Sequence, residues 1–545
     1  MKKNKVIDIG VYVYTLLFVL YSFTGRILPL SLFVGDNLNS LIYIFFAGFG
    51  FLLVVGDFFA SRIIIKSEYF VVLSLFVVMM LVSSLVNIDM GYVDNAKTVI
   101  WTVIQITIFY SLYLRRDKQS TLGMLKCLFV IICAIWTIAV IISLTQYVVQ
   151  DTYMYYISGI GYRYQGFYGG RLFGIFNDPN YAAVTSSYVF FMFMYIYMKS
   201  RKRWYVKGVI VFAVLLNVMY ILLSGSRTAL VASVCGFFVY LFLWFKGRYA
   251  ESKWGLLKAS VSAFLILASV LVISEPLKQA SIVLPQFYVS RYASKVGHIT
   301  QDKILMSLLR GRSDVILYWL DSPISSNDIS KVTEQQVVTD EIEIMTVSNA
   351  VDTEQQRNIT DSEEILKETE SAEIVYMSSA IQNNTDNQET NLLEREDIQN
   401  GNFSNNRTKI WKQYLQGMKG RYLIGTSPRN MMAYLEKTGT AEFVLERKYE
   451  THNGYLSLFV GCGILGCIPI LFFIILVGRR IGRYSFSNKK LDEDFIILFS
   501  ILVVILVYTI FFTELFFVNN LTTVLFWTIL GSLWYWLDAE NKILK

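Results

Sequence analysis

Apolar residues along this chain gather in long unbroken runs instead of alternating or following a heptad. Runs of roughly membrane-spanning length occur at 6–23, 38–56, 69–86, 98–114, 127–149, 181–198, 208–223, 228–245, 259–273, 455–477, 495–512 and 515–537. These predict about twelve transmembrane helices in an all-α, polytopic integral membrane protein. The first run lacks a short apolar core followed by a small-residue cleavage site, so it reads as a retained helix and not a signal peptide.

Basic residues follow alternate runs. Lys2, Lys3 and Lys5 precede the first; Arg62 and Lys66 follow the second, Arg115 and Arg116 the fourth, and Arg201, Lys202 and Arg203 the sixth. Lys246 and Arg248 follow the eighth, Arg479, Arg480 and Arg483 the tenth, and Lys542 and Lys545 the last. Cytoplasmic loops retain Lys and Arg, so both termini are expected in the cytoplasm. The chain then divides into helices 1–5 (residues 1–149), an outer loop (150–180), helices 6–9 (181–273), one large extracytoplasmic loop between helices 9 and 10 (274–454), and helices 10–12 with a tail (455–545).

Composition narrows this further. Of 545 residues 54% are hydrophobic and only 17% charged, against about 25% charged in a soluble domain, which argues against a water-soluble globule. With 7 prolines, 33 glycines and no period, collagen-like and proline-rich classes drop out. The five cysteines all lie in apolar runs, where a thiol behaves as a small hydrophobe. No disulfide framework and no metal-ligand spacing follow from them.

The net charge of +7 hides a segregation: residues 321–406 hold 19 acidic and 4 basic residues, against 23 and 45 elsewhere. That acidic stretch, about 327–406, is rich in Asn, Gln, Ser and Thr and reads as a disordered, solvated insert. The positive charge falls beside the spans, so a bilayer is the implied partner and nucleic acid is not.

Candidate chemistry lies in the outer segments. No nucleotide is supplied there, so a transferase would draw on a lipid-borne activated group and need cations or N–H donors for its diphosphate. Gly170-Arg171 leads to Asn177-Asp178-Pro179-Asn180 before run six; Asp178 and Pro179 suit a capped helix start, which leaves Arg171 unexplained. Ser226-Arg227 opens run eight. Ser226 suits a cap, while a cation in a first turn opposes the helix dipole and calls for an anion.

Glu450-Thr451-His452-Asn453-Gly454 opens run ten, and imidazole can exchange a proton near neutral pH. Arg407 precedes an amphipathic stretch through Tyr414, Leu415 and Met418, and Arg312 lies on the other flank of the acidic insert. Tyr164 is one of several tyrosines in the first outer loop, suited to a sugar face or to the water interface. His298 reads as a surface residue, and Asp492-Glu493-Asp494 as a helix start with acids at the positive end of the dipole.

At these residues the chain resembles the O-antigen ligase and polymerase superfamily of bacterial glycan assembly. Residues 170–183 resemble the family's Arg-led approach to an Asn-Asp-Pro-Asn helix, 225–232 its Ser-Arg helix start, 406–425 its Arg and Trp opening, and 452–466 its His-Asn and Gly-Ile-Leu-Gly ending. The resemblance implies a glycosyltransferase of the metal-independent, polytopic GT-C-like class in the plasma membrane, without cofactor, acting at the outer face. Its donor would be an undecaprenyl-diphosphate-linked oligosaccharide and its acceptor a glycan, with a flippase and a chain-length regulator as working partners.

By position, Arg171, Arg227 and Arg407 would bind the diphosphate and His452 would help deprotonate the acceptor hydroxyl. Asn180, Asn453, Arg312 and Tyr164 are candidates for touching substrate. The acidic insert separates Arg312 from Arg407, so either flank is an alternative source of the loop guanidinium. The motifs do not separate a polysaccharide polymerase, the leading reading, from a ligase that moves finished glycan to another acceptor; only a composition leaning to Ile, Lys and Asn points toward the polymerase. A flippase for the same lipid is the reading from another class; it calls for ionisable residues inside the spans.

Overall fold

The computed structural model describes residues 5–149, 152–157, 161–168, 170–200, 204–281, 283–285, 374–375, 406–446, 448–487 and 491–543. Helices dominate, and each of the twelve apolar runs meets one. In order they are α1 (Lys5–Tyr21), α2 (Leu28–Ala60), α3 (Phe70–Val86), α4 (Tyr92–Ile104), α5 (Lys118–Val149), α6 (Pro179–Lys199), α7 (Trp204–Leu223), α8 (Arg227–Arg248) and α9 (Gly255–Ala280). After the insert come three short helices, α10 (Arg407–Gly417), α11 (Met431–Thr438) and α12 (Glu442–Glu446), then α13 (Gly454–Phe486), α14 (Glu493–Thr509) and α15 (Leu521–Ile543).

Among the described residues eight helices are long and apolar enough to cross a membrane. Their outward faces are greasy: Val71 is 78% exposed, Phe59 76% and Trp204 83%. Contiguous apolar surface of this kind needs a hydrocarbon solvent. Inside, α14 is the most central helix and packs against α8, α6 and α15. The core around it interlocks through aromatic side chains such as Trp534, Tyr110 and Trp136, all nearly inaccessible.

Three features correct the sequence-based picture. The predominantly helical, polytopic class holds, while the first outer segment carries a small sheet: β1 (Thr152–Ile157), β2 (Gly161–Tyr168) and β3 (Arg171–Gly174) form an antiparallel meander, which β4 (Ile374–Val375) extends beside β1. Alternating aromatic residues favour a pleated strand, and this competes with the interfacial reading of the same tyrosines. The junction of the last two runs is not helical: one helix stops at Thr509 and the next starts only at Leu521. Residues 510–520 leave helix geometry, yet Phe512, Leu515 and Phe516 stay buried there. Finally, α4 does not continue as a regular helix; Gln105–Phe109 is a π turn and Tyr110–Leu114 a 3₁₀ turn. Arg312, His298 and nearly all of the acidic insert lie outside the described residues.

Contacts sort the connections onto two ends of the bundle. At one end Arg115 bridges the carboxylates of Asp8 (3.1 Å) and Asp57 (3.0 Å), Lys199 pairs with Asp494 (2.8 Å), and Arg480 with Asp538 (3.1 Å). At the other Arg26 pairs with Glu514, the Asn177 N–H donates to the Arg26 carbonyl (3.0 Å), and Lys437 pairs with Asp89. Among the described residues, Arg115, Lys199, Lys246 and Arg480 lie at the first end, and Arg26, Glu514 and Lys437 at the second. Lys5 and Asp538, close to the two ends of the chain, belong to the first.

Candidate functional site

The second end carries the candidate site, built from four helix starts and the segments that feed them. Side-chain caps set three of these starts. Asp178 accepts from the N–H groups of Asn180 (2.7 Å) and Tyr181 (3.2 Å) at α6, Ser226 from Ala229 (3.3 Å) at α8, and Asn453 from Leu456 (3.0 Å) at α13. Each cap satisfies donors that a helix start leaves free and aims its neighbour: Asn180, Arg227 and His452 respectively. Asn453 is therefore first a cap, a role that takes its side-chain oxygen from the substrate contact expected of it.

Arg171 stands on β3 and is half-buried. Its Nε donates to the Ser224 carbonyl (3.0 Å) and its Nη2 to Asn180 Oδ1 (2.9 Å). The strand is pinned from behind, since the Tyr220 hydroxyl donates to the Phe173 carbonyl (3.2 Å) and the Ile175 N–H donates to Ser143 Oγ (3.1 Å). Arg171 thus ties the α6 start to the hairpin that delivers Arg227, three residues beyond Ser224. Tyr164 stacks on Tyr168 (4.3 Å) and leans on Phe173, over which the Arg171 guanidinium lies (5.7 Å).

Arg407 opens α10 and His452 precedes α13, and both reach the ring of Phe512. The Arg407 guanidinium carbon lies 5.3 Å from that ring's centre and the imidazole centre 6.2 Å from it. Tyr181, next to Asn180, touches the same ring (5.3 Å). Phe512 therefore joins the two groups: Arg171, Asn180 and the Ser224–Arg227 hairpin on one side, Arg407 and His452 on the other. No sequence signal marked Phe512, which sits in an apolar run among many similar residues.

The α10–α12 cap holds the histidine segment. Ile410, Tyr414, Met418, Leu435, Val444 and Val460 form a small core of their own, while Leu415, expected on that apolar face, is 40% exposed. Trp411 Nε1 donates to the Thr451 carbonyl (2.9 Å), and the Tyr414 hydroxyl to that of Tyr449 (2.9 Å). His452 itself has a left-handed backbone, φ 46°, a conformation costly for a non-glycine residue and held here by its surroundings. Burial lowers the pKa of its imidazole; Glu450 opposes that shift, Arg407 adds to it and Asp178 opposes it. The outcome favours neutral imidazole, the form that can accept a proton.

A second feature was missed by sequence reasoning altogether. Arg26 and Glu514, 488 residues apart, form a buried ion pair beneath Tyr181, with Arg26 also donating to Thr522 Oγ1 (3.0 Å). Burial alone would lower the pKa of Arg26, but the carboxylate of Glu514 outweighs it and holds the guanidinium charged.

An apolar groove lies between α6, α7, α8 and α9, lined by residues such as Phe190, Leu222, Leu230 and Leu267. Its volume is about 330 Å³, and Leu222 and Leu230 place one end beside Arg227. Among the described residues, no group of three or more His, Cys, Asp or Glu side chains is placed to hold a metal ion. Comparison with family models and with curated proteins gives no match.

Proposed function

We propose that this protein is a polysaccharide polymerase of the plasma membrane, crossing the bilayer about twelve times with both termini in the cytoplasm. It transfers a glycan from undecaprenyl diphosphate to a sugar hydroxyl of a lipid-linked repeat unit at the outer face. The observation that carries this reading is the convergence at Phe512: Arg407 and His452 share that ring, and Tyr181 and Asn180 link it to Arg171. Guanidinium groups match phosphate oxygens by paired, charge-assisted hydrogen bonds, and the N-termini of α6 and α8 add their dipoles.

The apolar groove ending beside Arg227 suits a prenyl chain whose diphosphate rests at Arg171, Arg227 and Arg407. In the transfer the acceptor oxygen attacks the anomeric carbon, the bond from that carbon to the diphosphate oxygen breaks, and the diphosphate leaves with the electron pair. The hydroxyl proton passes to His452. The arginines stabilise charge that grows on the leaving group, where a preorganised cation is most effective. One direct displacement inverts the anomeric centre.

The transport reading calls for mobile or unpaired charge inside the bundle. Arg115 instead bridges Asp8 and Asp57, and Arg26 is bound to Glu514, which favours fixed, structural roles. The test is paired substitution: Arg227→Ala and His452→Ala each abolish polymer in membranes while protein level and insertion stay at wild type. Normal polymer from both variants would overturn the assignment.

A further inference from the structure

We infer that a polar trough on the same end of the bundle holds the acceptor saccharide and leads its growing end to His452. Three cavities adjoin there, of about 290, 410 and 260 Å³. The first and second share Tyr43 and Asn519 as walls, and the second and third share Arg429, Phe517 and Val518. The first reaches the Arg26–Glu514 pair and Tyr181; the third ends on Glu450 and Thr451, immediately before His452. The trough thus follows the non-helical segment 510–520 around to the imidazole.

The first two cavities offer groups that suit a sugar chain, and the third, beside His452, adds apolar walls such as Pro428, Met431, Met432 and Phe516 against which sugar faces can rest. Asn39, Asn519 and Asn520 offer amides, Tyr21 and Tyr43 offer ring faces with hydroxyls, and Asp94, Lys97 and Arg429 add charges of both signs. Amides and hydroxyls pair with sugar hydroxyls as both donors and acceptors, and tyrosine rings present an apolar face with a polar edge. Arg26, 3% exposed, lines the trough and leaves its Nε without a hydrogen-bond partner among the described residues. A buried unpaired donor is costly, and an acceptor oxygen on the ligand would satisfy it.

Neither Arg171 nor Arg227 lines these cavities, so the trough is separate from the diphosphate cradle and from the apolar groove. Saccharide binding stands on these walls alone. Its identity as the acceptor rests on the proposed transferase activity.

The test uses the full chain in lipid nanodiscs. The probe is the repeat-unit oligosaccharide released by mild acid from the lipid-linked pool of cells that make the protein. Asn39, Lys97 and Arg429 have exposed side chains, so the combined variant Asn39→Ala, Lys97→Ala, Arg429→Ala is expected to fold. Calorimetry should show the wild type binding the oligosaccharide and the variant binding it at least about tenfold more weakly, as the loss of two or three hydrogen bonds allows. Undecaprenyl diphosphate alone should bind both equally. Equal saccharide affinity in the two proteins, no binding by the wild type, or a matching loss of undecaprenyl diphosphate binding overturns the trough. Trough-dependent saccharide binding without any polymer from the lipid-linked unit would overturn the transferase reading and leave the trough standing.

Discussion

His452 sits where three charges compete over one proton. Burial, the strongest influence, and Arg407 press its pKa below the usual histidine value, while Glu450 and Asp178 pull it back. In the proposed transfer the neutral imidazole accepts the proton, so the rate should fall as pH drops through this lowered value. Glu450→Gln removes one carboxylate that favours imidazolium, and the acid limb of kcat/KM should move to lower pH; a limb that stays or moves up contradicts the arrangement. The linked stability has the same sign. A folded-state pKa below the unfolded one contributes stability that is present above the unfolded value and lost as pH falls through the folded one.

At this scale the sequence was informative wherever chemistry is local. Asp178, Ser226 and Asp492 cap their helices as their positions suggested. Arg26, Glu514 and Phe512 escaped because their partners are hundreds of residues away, and nothing local distinguishes a pairing arginine from one near a headgroup.

Among the elements, α13 shows why its glycines stand where they do. The helix breaks at Gly463, with φ +63°, and residues 422–427 lie against the break. The N–H groups of Thr426, Ile464 and Leu465 donate to the carbonyls of Val460 (2.8 Å), Tyr422 (2.8 Å) and Leu423 (3.0 Å). Irregular backbone within an apolar bundle survives only when its polar groups are paired in this way.

A Cβ at Gly463 would stand 2.4 Å from the Leu423 carbonyl oxygen. Gly463→Ala should therefore destabilise the protein by about 1–3 kcal/mol, read as a lower thermal midpoint in detergent; an unchanged midpoint would show that the break relaxes freely. The glycine cluster at 461–466 was visible in the sequence, but the irregular segment packed against it was not, because spacing along one helix says nothing about what approaches it. The first outer segment failed differently. Its tyrosines suit a sugar face or the water interface, and neither reading uses the alternation that pairs β1 with β2. In residues 510–520, apolar character was taken for helix although Glu514, Asn519 and Asn520 interrupt it.

For the molecule as a whole, apolar runs located the helices, eight of which among the described residues are long and apolar enough to cross a membrane, because each run is a local property of solvent preference. Their arrangement was less legible, since it depends on pairs such as those of Arg115, whose side chain is fully buried between Asp8 and Asp57. Arg115→Leu leaves two buried carboxylates without a cation. Breaking a buried pair in this way typically costs ~3–5 kcal/mol, so folded protein recovered from membranes should fall sharply. Wild-type recovery would mean that water or other groups take over the pairing. The candidate site shows the same limit: the sequence supplied Arg171, Arg227, Arg407 and His452 as separate points, and the approach of Arg407 and His452 to the ring of Phe512 is a property of the fold.

The central claim is that these groups serve one prenyl diphosphate and move its glycan. It is tested most directly by reconstituting the purified protein in liposomes with purified lipid-linked repeat unit and following both products. Expected is a ladder of polymer with one free undecaprenyl diphosphate released per bond formed, lost together in Arg227→Ala and His452→Ala. Lipid moved across the bilayer with no new glycosidic bond and no released diphosphate would contradict it.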